Sequence, residues 1–169
     1  MKQLPKRKRI RLKNFDYSTA GCYFVTICTH NQNKIFRTNG MLNAVGLIVN
    51  EEIVTLREKY SDVKIDNYVI MPNHIHLLIT IGCDALPDDE DVLLNEVLGK
   101  NKHSDLKVII GLFKSGITKR IHYFEPSLEV WQRSYFDHII VNKREYDEIW
   151  DYIEANPIRW QIKYGEKIY

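Results

Sequence analysis

Two runs of strand-forming residues joined by a short turn constrain this fold most strongly. Residues 63–71 and residues 74–81 (HIHLLITI) are rich in β-branched and other apolar residues, as half-buried strands are. Pro72-Asn73 between them is typical of a tight turn. The sequence therefore predicts a β-hairpin over residues 63–81.

The other predicted elements surround this hairpin in a regular order. Strands are predicted at 22–29 and 130–141, and helices at 42–60, 105–121 and 143–156, the last ending before Pro157. Residues 31–40 and the last dozen are predicted to be irregular. Residues 82–104 are predicted to be a solvated acidic connection with one helical turn near 92–98. The order βαββαβ followed by a helix predicts an α+β, ferredoxin-like antiparallel sheet with helices on one face and a C-terminal helix.

Charge is distributed unevenly along the 169 residues. The formal net charge is +2, yet residues 1–13 contain seven basic side chains and no acidic one. The remaining 17 basic and 22 acidic residues leave a mildly acidic body. We therefore divide the chain into a basic N-terminal arm, residues 1–13, and a single domain, residues 14–169. Such asymmetry suggests a polyanionic partner, although a short basic tail is often only solvated.

Several classes of protein are excluded by composition. Apolar residues make up 44% of the chain, which excludes a disordered protein, and no apolar run is long enough for a membrane helix. The basic N-terminus lacks the apolar segment of a secretory signal. Three cysteines without a CxxC motif argue against a disulfide framework or a zinc ribbon and suit a reducing cytoplasm.

The sequence His74-Ile75-His76 is the sharpest chemical feature. Residues i and i+2 of a strand share a face, so both imidazoles project together while Ile75 points to the opposite, apolar side. Two neutral imidazoles this close can bind one divalent cation. The competing interpretation is a pair of partly exposed histidines on a solvated sheet face.

A histidine pair alone is an incomplete metal site, so a further ligand has to come from elsewhere in the chain. Imidazoles with an oxygen ligand and open positions suit Mg²⁺ or Mn²⁺ engaging a phosphate. The chain has no HExxH helix, no P-loop and no GxGxxG motif, which excludes zinc-protease and nucleotide-binding interpretations of those kinds.

The last predicted helix carries a candidate partner for the histidines. Ile149, Trp150 and Ile153 fall on its buried stripe with Tyr146, and Tyr152 lies at the edge of that stripe. Asn156 shares the face of Tyr152, one turn later. The residues alone do not select Tyr152 over Tyr135 or Tyr146.

Three ordered blocks carry a resemblance to a known family. They are Asn67-Tyr-Val-Ile-Met-Pro-Asn-His-Ile-His-Leu-Leu, then Trp131-Gln-Arg-Ser-Tyr-Phe-Asp-His-Ile-Ile, then Asp151-Tyr-Ile-Glu-Ala-Asn-Pro157. With the opening Arg9-Ile-Arg-Leu-Lys-Asn-Phe-Asp-Tyr-Ser and the following Gly-Cys-Tyr-Phe-Val-Thr-Ile-Cys-Thr29, they resemble the REP-associated tyrosine transposases. These are a branch of the single-tyrosine HUH (His-hydrophobe-His) transposases, and the resemblance covers about residues 7–160.

This resemblance implies a function and a set of site residues. It implies a metal-dependent transposase that nicks and rejoins single-stranded DNA near hairpins such as repetitive extragenic palindromes (REPs), through a 5′-phosphotyrosine. Tyr152 would be the nucleophile, with His74 and His76 as ligands of Mg²⁺ or Mn²⁺. Asn156 would be a third ligand, directly or through water, because its side chain is shorter than the Gln common at this position. The protein would be a cytoplasmic, nucleoid-associated bacterial enzyme, a homodimer or a monomer, without a membrane partner.

The DNA-binding surface is predicted from basic and aromatic residues. The basic residues are Lys6, Arg7, Lys8, Arg9, Arg11 and Lys13 in the arm and Lys114, Lys119 and Arg120 on a helix. Trp131, Tyr135 and Phe136 are candidates for stacking under bases, with a core role the better interpretation of Trp131. Two alternatives remain: a catalytically silent nucleic-acid-binding module of the same fold, and another metal phosphoesterase in which Tyr152 only positions substrate.

Overall fold

The computed structural model describes residues 20–83, residue 86 and residues 104–169. Its strands are β1 (Gly21–Cys28), β2 (Arg37–Thr38), β3 (Met41–Leu42), β4 (Val63–Ile70), β5 (His74–Ile81) and β6 (Phe136–Ile140). Its helices are α1 (Ala44–Lys59), α2 (Leu106–His122) and α3 (Lys143–Tyr164). The main sheet is antiparallel, in the order β4-β5-β1-β6. The predicted ferredoxin-like α+β fold with a C-terminal helix is confirmed.

The sheet is covered on both faces because alternate residues of its strands point in opposite directions. One face packs on α1 and α2 and forms the larger core, which includes Val25 on β1 and Leu77 on β5. The other face packs on α3 around Cys22, Leu78 and Ile153. The helices are therefore divided between the faces, two on one side and α3 on the other.

Each helix begins at a side chain that accepts a hydrogen bond from an otherwise unpaired backbone N–H. Asn43 caps α1 by accepting from the amide of Gly46, and Asp105 caps α2 by accepting from that of Lys107. Asn142 caps α3 by accepting from the amide of Glu145 at 2.8 Å. Helix α3 is thus fixed in direction immediately after β6.

The end of α3 differs from the sequence prediction. The helix was expected to stop at residue 156, but it continues through Pro157 to Tyr164 and ends at Gly165, whose φ is +69°. Proline removes one i→i−4 hydrogen bond, yet the next turn carries Trp160, which is buried and packs beside His74. Burial of this indole offsets the lost bond, so the prediction of an irregular tail after residue 157 was wrong up to Tyr164.

The fourth core strand is shorter than predicted. Strand β6 begins at Phe136, and Trp131 makes only an isolated bridge to Thr29. The intervening backbone is tied to α2, because the Lys114 ammonium donates to the carbonyls of Gln132 and Ser134. The predicted loop at 31–40 likewise contains local order, a 3₁₀ turn at His30–Gln32 and β2, which pairs with β3.

Some predictions fall on residues outside the described part. The basic arm of residues 1–13 and the helical turn near 92–98 both lie there. No helix within 20–83, 86 and 104–169 combines the length and the apolar character that a membrane span needs.

Candidate active site

The two histidines lie at the start of β5, on the sheet face that α3 covers. His74 is paired across the ladder with Cys28 and His76 with Thr26, both on the neighbouring strand β1. Ile75 points to the larger core and is fully buried, as predicted. The interpretation of two partly exposed histidines on a solvated face is wrong for His76, of which only 5% is exposed because α3 packs over it, whereas His74 is half-buried.

Hydrogen bonds to the Nδ1 atoms fix both imidazole rings. His74 Nδ1 lies 2.7 Å from Asn73 Oδ1, and His76 Nδ1 lies 2.8 Å from Thr26 Oγ1. An amide oxygen can only accept, so His74 carries its proton on Nδ1 and keeps a lone pair on Nε2. The Thr26 hydroxyl allows the same tautomer in His76. No hydrogen-bond partner of either Nε2 occurs among the described residues.

Both imidazoles are neutral near pH 7. Burial lowers the pKa of His74 to about 4. Burial, with a smaller contribution from His74, lowers the pKa of His76 to about 3. The neutral form is the one that binds metal ions, because a protonated imidazole has no lone pair to give.

Tyr152 is brought to the same place by α3. Its ring centroid lies 5.4 Å from that of His76, and the two histidine centroids are 4.7 Å apart. Phe24 stacks on His76 at 5.1 Å and meets Tyr152 edge-on at 5.8 Å, so it holds both rings in place. About 37% of Tyr152 is exposed. The side chain is therefore packed on one side and accessible on the other.

A cleft of about 210 Å³ opens over these groups. It is lined by Thr26, Cys28, Gln32, Asn73, His74, His76 and Tyr152. Burial raises the pKa of the Cys28 thiol, which keeps this sulfur protonated near neutral pH. The cleft wall therefore consists of neutral groups.

The other candidate tyrosines lie elsewhere. Tyr135 packs against the core between the sheet and helices α1 and α2. Tyr146 is hydrogen-bonded to Asp66, and burial together with that carboxylate raises its pKa strongly. Tyr152 is the one of the three that lines the cleft with the histidines.

Asn156 lies one turn beyond Tyr152 and is buried. Its Nδ2 donates to the backbone carbonyl of Tyr152 at 2.8 Å, and it is not among the residues that line the cleft. In the described part of the chain, no group of three or more His, Cys, Asp or Glu side chains could hold a metal ion. Beside the two histidines and the Cys28 thiol, the side chains that line the cleft are those of Thr26, Gln32, Asn73 and Tyr152.

The predicted basic residues of α2 lie on the helix that covers the opposite sheet face. Arg120 forms ion pairs with Glu51 and Glu52 of α1, and Lys119 is exposed. Lys114 reaches the segment that follows Trp131, where its pKa is lowered by burial. Trp131 packs against the core, which agrees with the structural role favoured for it.

Several residues around the site were not predicted. Thr26 and Phe24 meet the histidines only through the pairing of β1 with β5, which no local sequence pattern specifies. The sequence pattern indicates Asn73 only as a turn residue, although its position beside His74 is a signal for the contact. Arg159, whose guanidinium carbon lies 5.0 Å from the Tyr152 ring centroid, was beyond the predicted end of the helix.

The fold of this chain is shared by a solved tyrosine transposase. The solved structure of a REP-associated tyrosine transposase bound to a REP hairpin has the same fold, with a TM-score of 0.61. The match covers 88% of this chain and 73% of that chain at 17% identity.

Two proteins of one bacterium are similar to this chain in sequence. An uncharacterized protein of Haemophilus influenzae is 34% identical over 164 residues, covering 92% of this chain and 90% of the relative. A second protein of that bacterium, provisionally named a REP-associated tyrosine transposase, is 22% identical over 152 residues, or 85% of this chain and 74% of its own length. No family model matches the chain. The chain is therefore similar to REP-associated tyrosine transposases in sequence and in fold, as the resemblance predicted.

Proposed function

We propose that this protein is a metal-dependent endonuclease and strand transferase that acts on single-stranded DNA near hairpins. One observation carries the proposal: an accessible tyrosine lies 5.4 Å, ring to ring, from His76, and it lines one cleft with a pair of neutral histidines. A phosphodiester entering this cleft would meet the Tyr152 hydroxyl and the two Nε2 atoms together.

The covalent step would use Tyr152 as the nucleophile. Its hydroxyl oxygen attacks the scissile phosphorus, the Oη–P bond forms and the bond from phosphorus to the 3′ oxygen breaks. The phenol loses its proton during attack and the departing oxygen gains one, which leaves a 5′-phosphotyrosine and a free 3′-hydroxyl. A 3′-hydroxyl attacking the phosphotyrosine reverses these events, so strands are rejoined without an external energy source.

His74 and His76 fit the role of metal ligands. Both are neutral, and both have Nδ1 engaged and Nε2 free of partners within the described residues. A bound Mg²⁺ or Mn²⁺ would polarise a nonbridging phosphate oxygen. Thr26 and Asn73 would hold the imidazoles in the ligating tautomer. Asn156 would supply an oxygen directly or through a water molecule.

Hairpin DNA is the proposed partner because the solved transposase of the same fold was bound to a REP hairpin. The arm of residues 1–13 would add phosphate contacts, through Lys6, Arg7, Lys8, Arg9, Arg11 and Lys13, to those of Lys114 and Lys119. Removal of residues 1–13 is expected to weaken DNA binding and to flatten its salt dependence while leaving Tyr152 chemistry in place.

The test is covalent capture of DNA. End-labelled single strands carrying palindromes repeated near the gene in its host genome, with randomised flanks, are incubated with Mg²⁺ or Mn²⁺ and separated on a denaturing gel. Wild-type protein should form an adduct that Tyr152→Phe lacks and that the matched variant Tyr164→Phe retains. His74→Ala and His76→Ala should abolish cleavage more than binding.

Other outcomes of this assay would support the alternatives. Cleavage that survives in Tyr152→Phe would show a phosphoesterase in which the tyrosine only positions substrate. Hairpin binding with no cleavage in either metal would indicate a catalytically silent binding module. One observation favours this alternative: among the described residues, no third His, Cys, Asp or Glu side chain completes a metal site with the two histidines.

A further inference from the structure

Arg159 stands out as a cation placed beside the candidate nucleophile. Its guanidinium carbon lies 5.0 Å from the centroid of the Tyr152 ring. The side chain is exposed, and in the part of the chain that the structure describes no carboxylate forms an ion pair with it. Arg120 and Lys34, by contrast, are both neutralised by glutamates.

Helical geometry explains this position. Residues 152 and 159 are seven apart, which is about 20° short of two full turns, so both lie on one face of α3. Helix side chains lean toward the N-terminus, and the long arginine side chain therefore reaches back over the tyrosine ring. The contact exists only because α3 continues through Pro157.

The hydrogen-bonding capacity of Arg159 is unused within the described residues, where no hydrogen bond of its guanidinium occurs. A guanidinium carries five N–H groups along the edges of its plane. These edges match two oxygens of a phosphate in a bidentate arrangement. An uncompensated guanidinium beside the ring of a tyrosine that lines the cleft is thus able to bind an anion there.

We infer that Arg159 is a catalytic residue that binds the nonbridging oxygens of the phosphate attacked by Tyr152. The inference rests on the proposed function and adds a cationic side chain, on α3, to the centre formed by the neutral strand histidines. Arg159 would orient the phosphate for attack and offset the negative charge that develops as the Oη–P bond forms. Its cation–π contact would also hold the Tyr152 ring toward the cleft.

The experiment compares Arg159→Ala and Arg159→Lys with Lys163→Ala. Lys163 is a matched control because it is a cation of the same helix stacked over another ring, Tyr164, at 5.0 Å. Adduct formation is measured on the hairpin strands with a normal phosphate or a neutral methylphosphonate at the scissile position. Thermal unfolding of each variant shows whether it remains folded.

A contact with the scissile phosphate predicts a specific pattern. Arg159→Ala should slow adduct formation on the normal phosphate by about 10²-fold or more, and Arg159→Lys should recover part of that loss. On the methylphosphonate, which lacks the oxygen charge, the Arg159→Ala defect should shrink by at least about tenfold. Lys163→Ala should behave as wild type. An equal Arg159→Ala defect on both substrates, or none on either, would overturn the inference.

Binding separates this inference from the proposed function. If wild-type protein forms no adduct, methylphosphonates are placed one at a time along the strand and the affinities of wild type and Arg159→Ala are compared as a double-mutant cycle. One position at which the two changes are non-additive would show that Arg159 contacts a phosphate even though the nicking activity has failed. Additivity at every position would reject the contact.

Discussion

Acidification should destabilise this fold through the histidine pair. In the unfolded chain both imidazoles have an ordinary pKa near 6.5, whereas in the folded protein burial lowers these values to about 4 for His74 and about 3 for His76. The unfolded state therefore binds more protons than the folded state between these limits. The contribution of the two neutral histidines to the free energy of unfolding is complete above pH 6.5. It is lost as the pH falls toward the pKa values of the folded protein.

The size of the effect is set mainly by the unfolded chain. Between pH 7 and pH 5, protonation of each imidazole lowers the free energy of the unfolded state by about 2 kcal/mol, so the pair costs about 4 kcal/mol of stability. This figure changes little with the folded pKa values, provided that both lie well below 5. It is a large fraction of the total stability of a typical domain, about 5–15 kcal/mol.

Urea denaturation at pH 7, 6 and 5, with EDTA to remove metal ions, measures this loss. The comparison is with a double variant, His74→Asn with His76→Asn, which retains an N–H donor near each Nδ1 position but does not titrate. His122→Gln is the matched control, because that ring is exposed and bonds the Leu128 carbonyl. Wild type and His122→Gln should each lose about 4 kcal/mol more than the double variant. An equal loss in all three proteins would refute the assignment of lowered pKa values to His74 and His76.

Three further predictions concern residues that position the site. Thr26→Val removes the hydrogen bond to His76 and should weaken Mn²⁺ binding, measured by calorimetry, by about 10–100-fold, whereas Thr55→Val on α1 should leave it unchanged. Ile153→Ala, in the core beneath α3, should lower the free energy of unfolding in urea by about 2–5 kcal/mol, and a loss below about 1 kcal/mol would contradict the packing. Asn142→Ala removes the cap of α3 and should lower the free energy of unfolding in urea by about 0.5–2 kcal/mol. An unchanged free energy of unfolding would contradict a stabilising role of this cap.

The sequence was sufficient to predict the fold because its periodic patterns are local. Strand and helix periods, with Pro72-Asn73 between two strands, determined the element order, and that order limits the sheet to few topologies. The helix past Pro157 was missed because a local rule about proline was outweighed by the burial of Trp160, a tertiary contact. Strand β6 was predicted too long because the Lys114 hydrogen bonds to the backbone after Trp131 have no sequence signal.

The candidate site was only partly predictable. The alternation of side chains along a strand predicted that His74 and His76 share a sheet face, and helix geometry predicted that Tyr152 lies at the edge of the apolar stripe. Whether Tyr152 comes close to the histidines depends on which sheet face α3 covers. That choice follows from the packing of Ile153 on Leu78 and Cys22. Thr26 and Arg159 could not be predicted for the same reason. Thr26 reaches the site through the register of β1 on β5, and Arg159 reaches it through the length of α3, and tertiary structure fixes both.

The closeness of Tyr152 and His76 within one polypeptide has a consequence for cooperation between molecules. A chain that holds its own tyrosine over its own histidines would not borrow either group from a neighbour. A mixture of His76→Ala chains and Tyr152→Phe chains would then remain inactive, and the rate of adduct formation would rise in simple proportion to protein concentration. The cut end would stay tethered to the polypeptide that made the cut, so diffusion could not separate the broken strand from the centre able to reseal it.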